Sequence, residues 1–329
     1  MKTIEKLFHN IGLSEITGPI TPVSGGFMHR MFRVDTSDGS YAVKHLNPEV
    51  MKRPGVFENY KRAESLETML ENAGIPIVPA LVINEKKMQE CDGEYFYVFD
   101  WHEGKITDWD HITPKQCRIA GSIQGRIHAI APKQVEAETK EPSQIDWNNY
   151  INEAVAQNSE IEPILKDNLE LLTHAQDEMN RANVSLPGIE CITDEDMDPK
   201  NIMWENGEPR VIDLECLDYG NPVSHVLQLS LQWSGITTCT LDLDKTKAFF
   251  EGYLEAYDNG FRDYASVFGV AYTWIEWLEY NITRALGNCQ DEAEQNMGIS
   301  EVKNTIARIR YIADMEEKII QKMNEWFSA

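Results

Sequence analysis

Apolar and polar positions alternate first with the period of strands and then with the period of helices. Residues 17–25 (TGPITPVSG), 28–37 (MHRMFRVDTS) and 40–47 (SYAVKHLN) are β-branched or alternating, and the spacing predicts three short strands with DTSDGS as the second turn. From 57 to 73, Phe57, Tyr60, Ala63, Leu66, Met69, Leu70 and Ala73 recur on one helical face, and Gly74 followed by Pro76 ends the helix. VPALVINEKKMQECDGEYFYVFDW then reads as a hairpin around CDG whose second strand runs out at Asp100 and Trp101. Beyond Gly104 the period lengthens. Helices are expected over 114–130, 147–158, 160–183, 222–233, 243–258, 261–287 and 300–327, interrupted by a strand-and-loop island at 190–214.

Five strands and one helix, a short connection and then a mostly helical region is the order of elements in a protein kinase-like fold. The expected fold class is α+β and bilobal: a small N-terminal β-sheet lobe (1–98), a hinge (99–104) and a larger, mostly helical C-terminal lobe (105–329). A chain of 329 residues exceeds the length at which single cores stop growing, which also argues for two lobes. The net charge of −24 is uneven, −3 over residues 1–100 and −21 over 101–329. Such a field repels nucleic acid and anionic membranes and concentrates cations near the second half, although a simple solubility charge accounts for it as well. Six scattered cysteines with no metal spacing read as free thiols of a reducing compartment. No uncharged apolar run is long enough for a membrane span, and charges break up the opening segment. A cytoplasmic protein without nucleic-acid or membrane partners is therefore expected.

The island CITDEDMDPKNIMWENGEPRVIDLE carries the chemistry. Asp196, Asn201 five residues on, and Asp213 twelve beyond that are one carboxylate to orient a hydroxyl proton and two oxygen ligands for Mg²⁺ against a triphosphate. The same residues are also compatible with ordinary loop acids in an acidic protein. Lys44 lies in the apolar strand Tyr41-Ala42-Val43, where an ammonium needs an anion, and Glu64 on the following helix is the natural partner; a water-facing lysine and a solvated glutamate are the plain alternatives. Gly25 and Gly26 would let backbone amides approach phosphates, or simply form a turn.

In this order and spacing the sequence resembles the aminoglycoside phosphotransferase-like and choline kinase-like family of small-molecule kinases. The resemblance rests on SGGFMHRMFRV, YAVK, RAESLETMLENAGIP, YVFDWHEG, GSIQGRIHAI, DEDMDPKNIMW, VIDLE and YGNP. It implies Asp196 as catalytic base, Asn201 and Asp213 as metal ligands, Lys44 as the phosphate lysine held by Glu64, and a nucleobase of ATP or GTP on the hinge at Phe99, Asp100, Trp101 and His102. The acceptor implied is a small hydroxylated molecule, cationic if the acidic second half attracts it. Asp198, and Trp274, Glu276, Trp277 and Glu279 on the Trp-rich helix, are candidate acceptor residues, though such a helix also suits a core. The chain departs from the family at Asp194, where a His is usual, and at Glu195. The added charge is expected to raise one carboxylate's pKa. His225 stands where an acid is usual, so a reciprocal exchange would preserve one His–carboxylate contact; two unrelated substitutions, with His225 capping or packing on its own helix, are the plain alternative. A pseudokinase, a binding module with little turnover, is the rival reading; the retained Lys44, Glu64, Asp196, Asn201 and Asp213 weigh against it.

Overall fold

The computed structural model describes residues 1–23, 29–136 and 142–327, so Gly25 and Gly26 lie outside the described residues. Along the chain the elements are α1 (Lys2–Ile11), β1 (Thr21–Val23), β2 (Arg30–Asp35), β3 (Ser40–His45), α2 (Val56–Asn72), β4 (Gln89–Cys91), β5 (Glu94–Asp100) and β6 (Lys105–Ile106). There follow α3 (Pro114–His128), β7 (Lys133–Gln134), α4 (Trp147–Ala156), α5 (Glu162–Asp167), α6 (Leu169–Ser185), β8 (Ile189–Asp194), β9 (Ile202–Glu205), β10 (Glu208–Val211) and β11 (Leu217–Gly220). Helices α7 (Pro222–Trp233), α8 (Leu243–Ala256), α9 (Trp274–Ala285) and α10 (Glu292–Phe327) complete the chain. It divides into two compact units, Met1–Thr107 with Asp194–Asp218, and Asp108–Thr193 with Tyr219–Ala329.

In the first unit a five-stranded antiparallel sheet runs in the order β1-β2-β3-β5-β4. Strand period two sends alternate residues to opposite faces. Val34, Val43 and Phe96 pack with Ile4, Leu7 and Phe8 of α1, while Leu46 and Tyr97 pack with Tyr60 of α2. Each of these fully buried apolar side chains contributes on the order of 1.5–3 kcal/mol. The charge-broken opening segment forms the amphipathic α1, with its charges on the outer face and Ile4, Leu7 and Phe8 on the inner one.

The β9–β10 hairpin turns at Asn206 and Gly207, both at positive φ (53° and 88°), the geometry an Asn-Gly hairpin turn requires. It pairs with β6, and Val211 exchanges backbone bonds with the segment after α2, accepting from Val78 N at 2.9 Å and donating to Pro76 O at 2.8 Å. These bonds group the island with the first unit, whereas the sequence reading kept it within 105–329.

In the second unit, α3 opens with a capping box, Thr113 Oγ1 accepting from Gln116 N while Gln116 Oε1 accepts from Thr113 N. Such a cap contributes about 1 kcal/mol. Asn221 caps α7 with Pro222 at the first position, so part of the YGNP motif is a helix start. Helices α3 and α8 approach closely at Gly121 and Gly252. Two expected helices are broken: 160–183 at Asn168, whose Nδ2 caps Ile164 O at 2.7 Å, and 261–287 by the 3₁₀ turn Phe268–Thr273. A small antiparallel sheet region followed by a helical C-terminal region bears out the α+β, kinase-like fold class. Among the described residues no helix is long and apolar enough to cross a membrane.

Candidate active site

Strand β3 carries Lys44 on the α2 face of the sheet, in register with Tyr97 of β5. With 7% of its side chain exposed, the ammonium is tolerated only against anions. Two are supplied: Nζ donates to Asp213 Oδ1 at 2.7 Å and to Glu215. Burial pulls the Lys44 pKa down, but Glu215 and Asp213 outweigh it and hold the ammonium above its ordinary range. Burial also pushes Glu215 up, whereas at Asp213 it is outweighed by the hydrogen bond with Glu215 and by Lys44, which hold that carboxyl well below the usual range.

The expected Lys44–Glu64 pair is corrected. Glu64 Oε1 accepts from Tyr97 Oη at 2.8 Å and Met88 N at 3.2 Å, and the carboxylates two apart on the turn after β10 take the lysine. Both arrangements satisfy the same rule, since a buried ammonium needs a carboxylate and a buried tyrosine hydroxyl an acceptor. Asp213 adopts left-handed backbone (φ 65°, ψ 57°), a conformation costing roughly 1–2 kcal/mol in an L-residue, tolerated best by Asp and Asn, and frequent at functional sites.

From the end of β8 the chain passes Asp196 and enters the 3₁₀ turn Pro199–Asn201, capped by Asp198, whose Oδ1 accepts from Lys200 N at 3.1 Å. Asn201 Nδ2 donates to Asp196 O at 2.8 Å and to its Oδ2 at 2.9 Å. Lys200 Nζ donates to the other oxygen, Oδ1, at 2.8 Å. Asn201 O in turn accepts from Ile212 N at 2.9 Å, which ties the loop to the strand end presenting Asp213. Asp194 is buried, and burial, followed by the neighbouring charge of Asp196, pushes its pKa well above the carboxylate range. Burial raises Asp198 to about 6. His29 accepts from Asn47 N at 3.0 Å through Nδ1, and burial, then Lys44, lower its pKa to about 4, so it is neutral.

Phe99 and Asp100 end β5, and Trp101 N donates to Ser40 O at 3.1 Å. The Trp101 indole donates to Glu103 at 2.9 Å beneath the Arg33 guanidinium, and His102 is half-buried, its pKa lowered by that burial. In the second unit, Trp274 lies under Arg308 at 4.0 Å, Glu279 accepts from Tyr150 Oη at 2.9 Å, and Glu276 and Trp277 are exposed. His225 is buried there, its Nδ1 2.9 Å from both Gln124 Nε2 and His128 Nε2. Sequence reasoning gave no role to Lys200 or Glu215. Their signal was position: four residues past Asp196 and two past Asp213.

A buried lysine on an antiparallel sheet, and a loop and hairpin that hold two acids and an amide, define the class: a kinase-like phosphotransferase. Residues 19–296 match the phosphotransferase enzyme family, and the chain belongs to that family, whose members act on small molecules. Among solved structures it is similar to spectinomycin phosphotransferase in complex with ADP and spectinomycin, with 15% identity and a TM-score of 0.70 over 96% of this chain and 98% of that one. It is also similar to an amicoumacin kinase bound to AMP-PNP and Ca²⁺ (10% identity, TM-score 0.59, 92% and 93% covered). A choline kinase from Cryptosporidium parvum Iowa II aligns at 12% identity and a TM-score of 0.54, with 94% and 93% covered. At these identities the likeness is one of fold. The comparison with curated proteins gives no match.

Proposed function

We propose that this protein transfers the γ-phosphoryl group of ATP or GTP, with Mg²⁺, to a hydroxyl of a small cationic molecule such as an aminoglycoside, an amino sugar or a choline-like amine. The observation that carries the reading is the meeting of Lys44 with Asp213 and of Asn201 with Asp196 in one unit. The acceptor oxygen–phosphorus bond forms as the bond to the nucleoside diphosphate breaks, and Asp196 takes the hydroxyl proton.

Asn201 spends its amide nitrogen on Asp196, which leaves its amide oxygen, with the Asp213 carboxylate, as the metal ligands. Among the described residues no group of three or more His, Cys, Asp or Glu side chains is arranged to hold a metal ion. Two protein oxygens suit Mg²⁺, which takes its other ligands from phosphates and water. When bound, the metal neutralises charge on the leaving diphosphate. Lys44 contacts phosphate oxygens, Gly25 and Gly26 offer backbone amides, and Phe99, Asp100, Trp101 and His102 hold the nucleobase, with Glu64 bracing the sheet through Tyr97. Residues 1–98 serve as the nucleotide lobe and 99–104 as the hinge; of 105–329, the part outside the island carries the acceptor residues Trp274, Glu276, Trp277 and Glu279, which favour an ammonium, and Asp198 of the loop is a further candidate. The acidic second half supports the cationic acceptor, and spectinomycin and choline, named for two similar structures, both carry cationic nitrogen. We place the protein in the cytoplasm.

The test is release of nucleoside diphosphate from MgATP and MgGTP against a panel of spectinomycin, other aminoglycosides, choline, ethanolamine and neutral sugars. Release dependent on an amine-bearing acceptor is expected. Release without any acceptor would reduce the protein to a weak nucleotide hydrolase, and no release would return it to the pseudokinase reading.

A further inference from the structure

We propose that Lys200 is a second cationic catalytic residue, resting on the Asp196 carboxylate in the free protein and turning to the transferring phosphoryl group when the acceptor hydroxyl, or a water in its place, takes Asp196 Oδ1. This rests on the reading of Asp196 as the base. Both oxygens of that carboxylate already have donors, Lys200 Nζ on Oδ1 and Asn201 Nδ2 on Oδ2. An acceptor hydroxyl that approaches either oxygen takes its remaining lone pair and crowds the donor already there. Asn201 is 5% exposed, bonds Asp196 at two atoms and is fixed through its own carbonyl by Ile212 N, so it stays. Lys200 has 45% of its side chain exposed, a flexible four-carbon stem and a second carboxylate, Asp198 Oδ2, 3.3 Å from its ammonium. It is the donor that can move.

An ammonium against a base lowers that base's proton affinity, so proton abstraction gives no reason for a lysine here. Charge on the transferring group does. The three equatorial phosphoryl oxygens carry negative charge, and they pass beside the oxygen that attacks, which is itself hydrogen-bonded to Asp196. Asp198 caps the backbone amide of Lys200, which fixes the root of the stem while leaving its end free to swing between the base and that position. No bond to Lys200 forms or breaks; its ammonium stabilises charge and returns to Asp196 on product release.

Isothermal titration of the full chain with MgADP, with and without aluminium fluoride as a mimic of the planar transferring group, separates the roles. Fluoride tightens MgADP binding to the wild type. In Lys200→Met that tightening falls by about tenfold or more, Lys200→Arg retains most of it, and MgADP alone binds within about twofold of wild type, the pattern of a group that acts on developing charge. Wild-type tightening in Lys200→Met overturns the inference and leaves the nucleotide site standing. Parallel loss of MgADP affinity and of the thermal midpoint makes the lysine a structural ion pair and overturns it too. A wild-type chain that does not bind MgADP at all sinks the proposed function, and this inference with it.

Discussion

Asp196 and its two donors set the expectations at the scale of single residues. Replacing the carboxylate by an amide keeps the loop's volume and its bond to Asn201 but removes the proton acceptor. Asp196→Asn should retain nucleotide affinity and lower turnover by roughly 10²-fold or more, the usual scale for a general base. Steady-state kinetics with an acceptor from the panel, beside titration of MgADP, checks this; matched losses in both would mark a structural residue. The four principal residues were legible because their types are costly where they stand. A lysine in an apolar strand, and an acid-amide-acid series spaced along one loop and hairpin, require a reason. The partner of Lys44 was not legible, since Glu64 and Glu215 offer the same carboxylate and only the path of the turn after β10 decides which one reaches the ammonium.

At the scale of elements, α3 and α8 meet through glycine. A Cβ on Gly121 would lie 2.0 Å from Phe249 O, and one on Gly252 would lie 2.0 Å from Arg118 O. These are backbone atoms that cannot rotate away, so the helices must part. Gly121→Ala should destabilise by about 1–3 kcal/mol or more through overpacking, read as a lower urea midpoint with an unchanged m-value. An unshifted midpoint would show the helices free to separate. The same helices bury His128, whose Nδ1 meets Tyr253 Oη at 2.9 Å and whose Nε2 meets His225 Nδ1. A neutral His128 with its proton on Nε2 accepts from Tyr253 Oη at Nδ1 and donates to His225 Nδ1. Full burial, with His225 second, holds His128 well below the ordinary histidine value, so it is neutral when folded. The unfolded chain takes up the proton near pH 6.5 and the folded one does not, so this contribution to stability is complete above about pH 6.5 and is lost as pH falls below it. Urea midpoints at pH 7.5 and 5.5 should therefore fall more for wild type than for His128→Gln. Equal falls would contradict a neutral buried imidazole.

The whole molecule carries −24, most of it beyond residue 100. A charge of that size acts at a distance and is screened over about 10 Å at 0.1 M salt. If the acceptor is a cation, raising NaCl from about 0.02 to 0.3 M should raise its KM several-fold, with kcat changed far less, while a neutral acceptor's KM stays level. Level KM values for both would leave the charge as a solubility device.

What the sequence determined by itself was the period of each segment, the stops between segments and the residue types that cannot sit idle, because those depend on neighbours within a few positions. Hence the five strands, α2, the Asn-Gly hairpin, the family motifs and the positions of Lys44, Asp196, Asn201 and Asp213 could all be read from it. Tertiary structure decided what depends on distance through space. The island joins the first unit because Val211 bonds the 76–78 segment, and Asn168 and the turn at 268–273 break what periodicity alone reads as continuous helix. Lys44 pairs with Asp213 and Glu215, and Lys200 reaches Asp196, because side-chain ends, whose positions no spacing rule supplies, lie within 3 Å of one another.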